Sequence, residues 1–199
     1  MNLENIVTIE KLYGKLPKIY HDCLSEGMAE TDDYRTYSID LFNVEQVSKI
    51  SVAPEDCEID EMKPVALEGL IPIASFHNVD LWVLDNQRGG RIIRVPHDDN
   101  EASLFAPSME AWIYRLCLEE ASDFPDEDEV VQAGLARWGK FLSRYAPAWG
   151  EHIIKLSKTP YSEDSNGVIS DSEVENILRK EFKEEELLGY VKFLRLEKF

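Results

Sequence analysis

The fold is decided by residues 70–117, which read LIPIASFHNVDLWVLDNQRGGRIIRVPHDDNEASLFAPSMEAWIYRLC. Residues 71–73 open a first extended run, and residues 79–85 form a second one that is rich in β-forming side chains. Residues 91–95 are a further apolar run, which predicts a returning strand. The paired glycines at 89–90 supply the positive φ angles that a hairpin turn needs. The stretch therefore predicts antiparallel strands around a tight turn.

A helix is predicted after the hairpin. Ser108 is the expected N-cap, because its hydroxyl can accept a hydrogen bond from a backbone N–H of the first turn. Trp112 and Leu116 are spaced i, i+4, which places both on one apolar helical face. Strands that neighbour each other in sequence, with helices before and after, indicate an α+β fold. We expect a mostly antiparallel sheet with helices on one side over residues 1–122, and a mainly helical C-terminal extension over residues 123–199.

The ordered pieces of this stretch resemble the SUKH superfamily, which comprises Smi/Knr-type cell-wall-assembly regulators and bacterial immunity proteins. The resemblance rests on Ile71-Pro72-Ile73, on the DLWVLD strand at residues 80–85, and on the APSMEAWI segment at residues 106–113. Leu16-Pro17 ahead of Tyr20 is similar to an early step in the family's first helix. The resemblance covers roughly the first 120 residues. It implies a non-enzymatic, protein-binding module.

Charge is the unusual feature of the composition. The 199 residues contain 39 Asp plus Glu against 21 Lys plus Arg, which gives a formal net charge of −18. Such a chain repels nucleic-acid phosphates and anionic membranes, so neither is an expected partner. The surplus has two interpretations, namely solubility alone or steering toward a basic protein partner.

The cysteines and the N-terminus indicate a cytoplasmic protein. Cys23, Cys57 and Cys117 include no CxxC pair, so neither a zinc ribbon nor a thioredoxin-type motif is expected. The first residues lack the basic and apolar regions of a secretory leader, and no apolar run approaches the ~20 residues that span a bilayer.

The remaining segments predict helices at both ends of the chain. Residues 4–26 form an apolar face that Pro17 divides into two helical pieces, and Gly27 is a plausible stop. The acidic run at residues 119–129 favours a helix N-terminus, and the helix that follows is expected to close at Pro147. A short helix is possible over residues 150–156.

Three further segments are less regular. Residues 34–40 look like a strand, and residues 53–64 look like an acidic surface loop. Residues 190–199 could be a final strand or a helix tail.

The segment SEDSNGVISDSE at residues 162–173 resembles much of an EF-hand calcium loop. It offers a turn glycine at Gly167 and a closing Glu173, but Ser162 stands where the site needs an Asp. The alternative is a glycine turn followed by a helix that Ser170 and Glu173 cap, and this alternative is favoured. Calcium binding is therefore a minor hypothesis, and no cofactor or metal is expected.

No catalytic constellation emerges from the spacing of the other reactive side chains. His21 and Cys23 are two residues apart on a helix and point to different faces. The His97-Asp98-Asp99 run is expected to be a solvated turn, since consecutive residues rarely converge on one ion. Of the four tryptophans, only Trp149 is expected in a loop. An enzyme is not expected.

The function implied by the resemblance is an immunity protein that neutralises a cognate bacterial toxin, often a nuclease. The carboxylates near the hairpin are the candidate partner-binding residues, namely Asp80, Asp85, Asp98, Asp99 and Glu101. The alternative is a regulator or scaffold of the Smi/Knr type, unconnected with toxins.

Overall fold

The computed structural model describes residues 3–31, 40–43, 46–47, 70–76, 80–95, 101–123, 129–162, 166–183 and 190–192. Its helices are α1 (Leu3–Tyr13), α2 (Lys18–Ser25), α3 (Met109–Ser122), α4 (Glu129–Leu142), α5 (Pro147–Leu156) and α6 (Asp171–Glu181). Its strands are β1 (Asp40–Leu41), β2 (Leu70–Phe76), β3 (Asp80–Asp85), β4 (Arg91–Val95), β5 (Glu101–Ala106) and β6 (Tyr190–Lys192).

The strands form one antiparallel sheet in the order β1-β2-β3-β4-β5-β6. Each strand pairs with its neighbour in sequence, so the sheet is a meander. Four strands of five to seven residues make its body, and the two- and three-residue strands β1 and β6 lie at its edges. The predicted α+β fold is confirmed.

The hairpin between β3 and β4 forms as the sequence predicts. The turn is a single 3-10 turn over Asn86–Arg88, followed by Gly89 at φ 81° and Gly90 at φ 75°. Strand β5 was not predicted, because Glu, Ala and Ser at its start have little preference for extended structure.

Strand β3 lies at the centre of the core, and all six of its residues are buried. Successive side chains point to opposite faces of the sheet, so Trp82 and Val83 belong to different faces. Helix α3 covers the Trp82 face, where the ring centroids of Trp82 and Trp112 lie 6.3 Å apart. Val83 on the other face is also fully buried, as is Ile93 beside it. Both faces of the sheet are therefore shielded from water.

The predicted division of the first helix is confirmed. Helix α1 is followed by Gly14 at φ 83°, and α2 begins at Lys18 directly after Pro17. The chain leaves α2 through Gly27 at φ 65°, as expected for a helix stop. Of the strand predicted at residues 34–40, only Asp40 is described, and the acidic loop predicted at residues 53–64 lies outside the described residues.

Of the two helix boundaries predicted in the C-terminal part, one is confirmed and one is wrong. The acidic run leads into α4, which begins at Glu129, so the predicted helix N-terminus is confirmed. Pro147 does not end a helix but occupies the first turn of α5, where its missing N–H costs nothing. Helix α4 ends earlier, at Leu142.

The C-terminal part returns to the sheet. Within the last ten residues, Tyr190–Lys192 form the strand β6, which pairs with Glu101, Ala102 and Ser103 of β5. Val168 also donates its backbone N–H to the carbonyl of Ala121 at 2.8 Å. The division of the chain at residue 122 stays a prediction. Within the described ranges, no helix is both long and apolar enough to cross a membrane.

Candidate protein-binding site

The meander brings several predicted site residues to one end of the sheet. Because neighbouring strands are antiparallel, β3 and β5 begin at the same end, at Asp80 and Glu101. Asp98 and Asp99 fall between β4 and β5 in the sequence, and residues 96–100 and the Glu101 side chain lie outside what the structure describes. We call these four acidic residues the acidic end.

Asp80 is buried and bound to an arginine of the neighbouring strand. Arg94 donates from Nε and Nη2 to Oδ2 of Asp80, at 2.9 and 2.6 Å. Its guanidinium carbon also lies 5.8 Å from the centroid of the Trp82 ring. The Arg94 side chain is 44% exposed and that of Asp80 only 7%, so Arg94 is the member of the pair that reaches solvent. Sequence reasoning missed Arg94, although its even spacing from Ile92 places it on the face of Trp82.

Asp85 lies at the opposite end of β3 from Asp80, about 17 Å away for a strand of this length. It is 1% exposed, and its carboxylate closes the hairpin. It accepts hydrogen bonds from the backbone N–H of Arg88 at 3.2 Å and from Nε of Arg91 at 3.0 Å. Buried in this way, its carboxylate is not presented at the surface to a partner.

Carboxylates of the same chain hold most of the described arginines. Six arginines in the described part of the chain form ion pairs with Asp or Glu, namely Arg88, Arg91, Arg94, Arg115, Arg144 and Arg179. Arginines engaged in this way are poorly placed to bind phosphates.

A polar cluster joins helix α2 to the turn between α4 and α5. Asp22 accepts hydrogen bonds from Lys18 at 2.6 Å and from the hydroxyl of Tyr145. These bonds lower the pKa of Asp22 to about 2. Arg144 donates to both carboxylate oxygens of Glu26, at 2.8 and 3.1 Å. The cluster fastens the C-terminal part to the N-terminal helices.

The EF-hand-like segment forms a turn and a capped helix. Ser170 caps α6 in a full capping box, in which Glu173 accepts from the Ser170 backbone N–H at 2.9 Å. Hydrogen bonds from Ser170 lower the pKa of Glu173. The carboxylate that would close a calcium site therefore has a structural role, and the capped-helix alternative is confirmed. Asp164 lies outside the described residues, among which no group of three or more His, Cys, Asp or Glu is arranged to hold a metal ion.

The other singled-out residues mostly serve the fold. Trp82, Trp112 and Trp138 are buried, as expected. Ser108 accepts from the backbone N–H of Ala111 at 3.2 Å, which confirms it as the N-cap of α3. Trp149 was expected in a loop, and this was wrong, because it lies in α5 and packs against the core.

His21 and Cys23 do not form a pair. The His21 ring contacts Asp22 at 3.3 Å, whereas Cys23 is buried in the core. Burial raises the pKa of the Cys23 thiol far above its usual range. A thiol kept protonated in this way is a poor nucleophile.

A comparison with protein families assigns the chain to one of them. The sequence model of the SMI1 / KNR4 family (SUKH-1) matches residues 1–115, more than half of the chain. The chain therefore belongs to this family, within the SUKH superfamily. Members generally bind another protein, as immunity proteins or as Smi/Knr-type regulators, and they are generally non-enzymatic.

At the level of its family, the chain is a protein-binding module. The matched region ends inside α3, so α4, α5, α6 and β6 lie beyond it. No curated protein and no solved structure matches the chain.

Proposed function

We propose that the chain is a cytoplasmic immunity protein that binds and neutralises a cognate toxin domain with a basic surface, such as a nuclease. The observation that carries the proposal is the disposition of charge. The chain has a surplus of 18 negative charges, and at least six of its described arginines are already paired with its own carboxylates. The field that reaches a partner is therefore negative.

A nuclease is a suitable partner for such a field. Its substrate is a polyanion, so its active-site cleft collects basic side chains. An acidic protein that enters this cleft takes the place of the phosphates, and complementary potentials accelerate the encounter. This argument requires no chemistry from the immunity protein itself.

The acidic end is the proposed contact face. Its proposed carboxylates are those of Asp98, Asp99 and Glu101, and Asp80 holds the exposed Arg94 of β4. Arg94 is 44% exposed, and arginines are enriched at binding hot spots. Asp85 belongs to the same candidate set, but from the far end of β3 it contributes only to the overall field.

Co-expression tests the function. We expect the chain to restore growth of cells that express the toxin domain encoded immediately upstream of its gene. The triple variant Asp98→Lys/Asp99→Lys/Glu101→Lys should lose this protection. The control Glu129→Lys/Glu151→Lys/Glu175→Lys alters three exposed helical residues by the same total charge and should keep it.

Failure of the unaltered chain to protect against the upstream product would contradict the immunity proposal and favour a Smi/Knr-type regulator. Equal protection by both triple variants would leave immunity standing and remove the acidic end as its contact face.

A further inference from the structure

Helices α3, α5 and α6 meet in a cluster of aromatic and titratable side chains. The rings of Tyr114 and Trp149 are stacked, with centroids 4.9 Å apart and an angle of 8° between their planes. The indole N–H of Trp149 donates to Glu181 at 2.8 Å, and its ring meets the edge of Phe182 at 5.6 Å. The hydroxyl of Tyr114 is 2.7 Å from Nδ1 of His152. We call these five residues the aromatic joint.

The joint connects α3 to two helices that lie beyond the region matched by the family model. Tyr114 comes from α3, Trp149 and His152 come from α5, and Glu181 ends α6. Tyr114 is only 2% exposed, and its hydroxyl bonds to His152, so loss of this bond would leave a buried polar group to find another partner.

We propose that the Tyr114–His152 hydrogen bond is a pH-sensitive latch, and that protonation of His152 loosens α5 and α6 from α3. A neutral imidazole can accept a hydrogen bond from the phenol hydroxyl at Nδ1, whereas an imidazolium carries an N–H donor on both nitrogens. Protonation therefore turns Nδ1 from acceptor to donor, and the buried hydroxyl must redirect its own proton away from His152. It also places a positive charge in the joint.

The charged groups around His152 come from two helices. Lys155 lies on the same helix and repels an imidazolium, whereas Glu181 on α6 attracts it but already accepts from Trp149. Burial is the largest influence, followed by Lys155, and the net result is a His152 pKa below its ordinary value of 6.5. The folded state then binds the proton more weakly than the unfolded chain does. The latch therefore makes its full contribution to the stability of the folded state above pH 6.5. This contribution is lost as the pH drops through the pKa that His152 has in the folded state.

Hydrogen exchange of the full chain between pH 7.5 and 5.0 tests the latch. After correction for the intrinsic pH dependence of exchange, we expect the amides of α5 and α6 to exchange at least about threefold faster at pH 5.0 than at pH 7.5. The variant His152→Asn carries an amide at the position of Nδ1 that can accept from Tyr114 but does not titrate. It should abolish the acceleration.

A matched control and a second readout complete the test. His21→Asn removes the other described histidine, on α2, and should leave the acceleration intact. The ring resonances of His152 should titrate below pH 6.5, together with the indole N–H signal of Trp149. Acceleration that survives in His152→Asn would overturn the proposal, as would exchange in α5 and α6 that does not change while His152 titrates.

Discussion

At the scale of single residues, the aspartates of this acidic protein have distinct roles. Asp85 is buried and organises the hairpin, whereas Asp80 is buried and orients an arginine toward solvent. Asp22 joins α2 to Tyr145, which lies between α4 and α5. Burying an unpaired carboxylate is costly, so each of these groups has donors beside it.

The Asp22 cluster should make stability depend on pH. In the folded state the pKa of Asp22 is lowered from 3.8 to about 2. The charged carboxylate therefore stabilises the folded protein above pH 4, and this stabilisation is lost as the pH falls through 2. We expect Asp22→Asn to lower the free energy of unfolding by about 1 kcal/mol at pH 7. The difference from the unaltered chain should shrink below pH 4.

Urea unfolding at pH 7, 5, 4 and 3 measures this difference. Glu175→Gln is the control, because it removes an exposed i, i+4 pair with Arg179 whose loss should cost no more than about 0.5 kcal/mol. A cost of Asp22→Asn that stays constant from pH 7 to pH 3 would show that the charge of Asp22 is not the source of its effect.

The residue types were enough to select the acidic candidates, but they did not reveal the different roles of Asp80 and Asp85. Asp80 and Asp85 both flank a strand of β-forming residues, and alternation alone puts them on opposite faces. The arginines that bind them depend on the register of β3 with β4, which pairs Asp85 with Arg91 and Trp82 with Arg94. That register follows from the turn at Asn86–Arg88, so the ion pairs could be inferred only after the turn was known.

At the scale of secondary-structure elements, local signals were reliable where the responsible residues are close in sequence. The break at Pro17, the stop at Gly27 and the capping box at Ser170 all depend on contacts within a few residues. Strand β5 was missed because its pairing with β4 and β6 is what makes it extended. The boundary at Pro147 was misjudged because a proline fits the first turn of a helix as well as it follows the end of one.

Helices α4 and α5 depend on two glycines for their close approach. A Cβ atom at Gly150 would lie 2.4 Å from the backbone N of Ser143 and 2.6 Å from the carbonyl oxygen of Gly139. Backbone atoms cannot move aside as a flexible side chain can. We therefore expect Gly150→Ala to destabilise the protein by about 3 kcal/mol in urea unfolding.

Gly89→Ala is the matched comparison for this prediction. Nothing lies within 4 Å of a Cβ at Gly89, so only its φ of 81° opposes the change. That conformational cost is about 1 kcal/mol. A Gly150→Ala variant no less stable than Gly89→Ala would contradict the close packing of α4 on α5.

At the scale of the whole molecule, several contacts join residues 1–122 to the rest of the chain. They are the β5–β6 pairing, the Val168–Ala121 hydrogen bond, the Arg144–Glu26 ion pair and the Tyr145–Asp22 hydrogen bond. We therefore expect the two parts to unfold as one cooperative unit. Calorimetry should show a single transition in which the calorimetric and van't Hoff enthalpies agree. Two resolved transitions would mean that residues 123–199 fold independently.

The central claim is that a negative field at one end of the sheet brings this chain to a basic protein. Stopped-flow association with the catalytically inactivated product of the upstream gene tests it most directly, over a range of salt concentrations. Both triple variants change the formal net charge from −18 to −12, so they differ in where the charge is changed and not in its total.

We predict an association rate constant that falls steeply with salt for the unaltered chain. It should be about tenfold lower at low salt for Asp98→Lys/Asp99→Lys/Glu101→Lys than for the Glu129→Lys/Glu151→Lys/Glu175→Lys control. Association that is insensitive to salt, or two triple variants that associate at the same rate, would contradict the account.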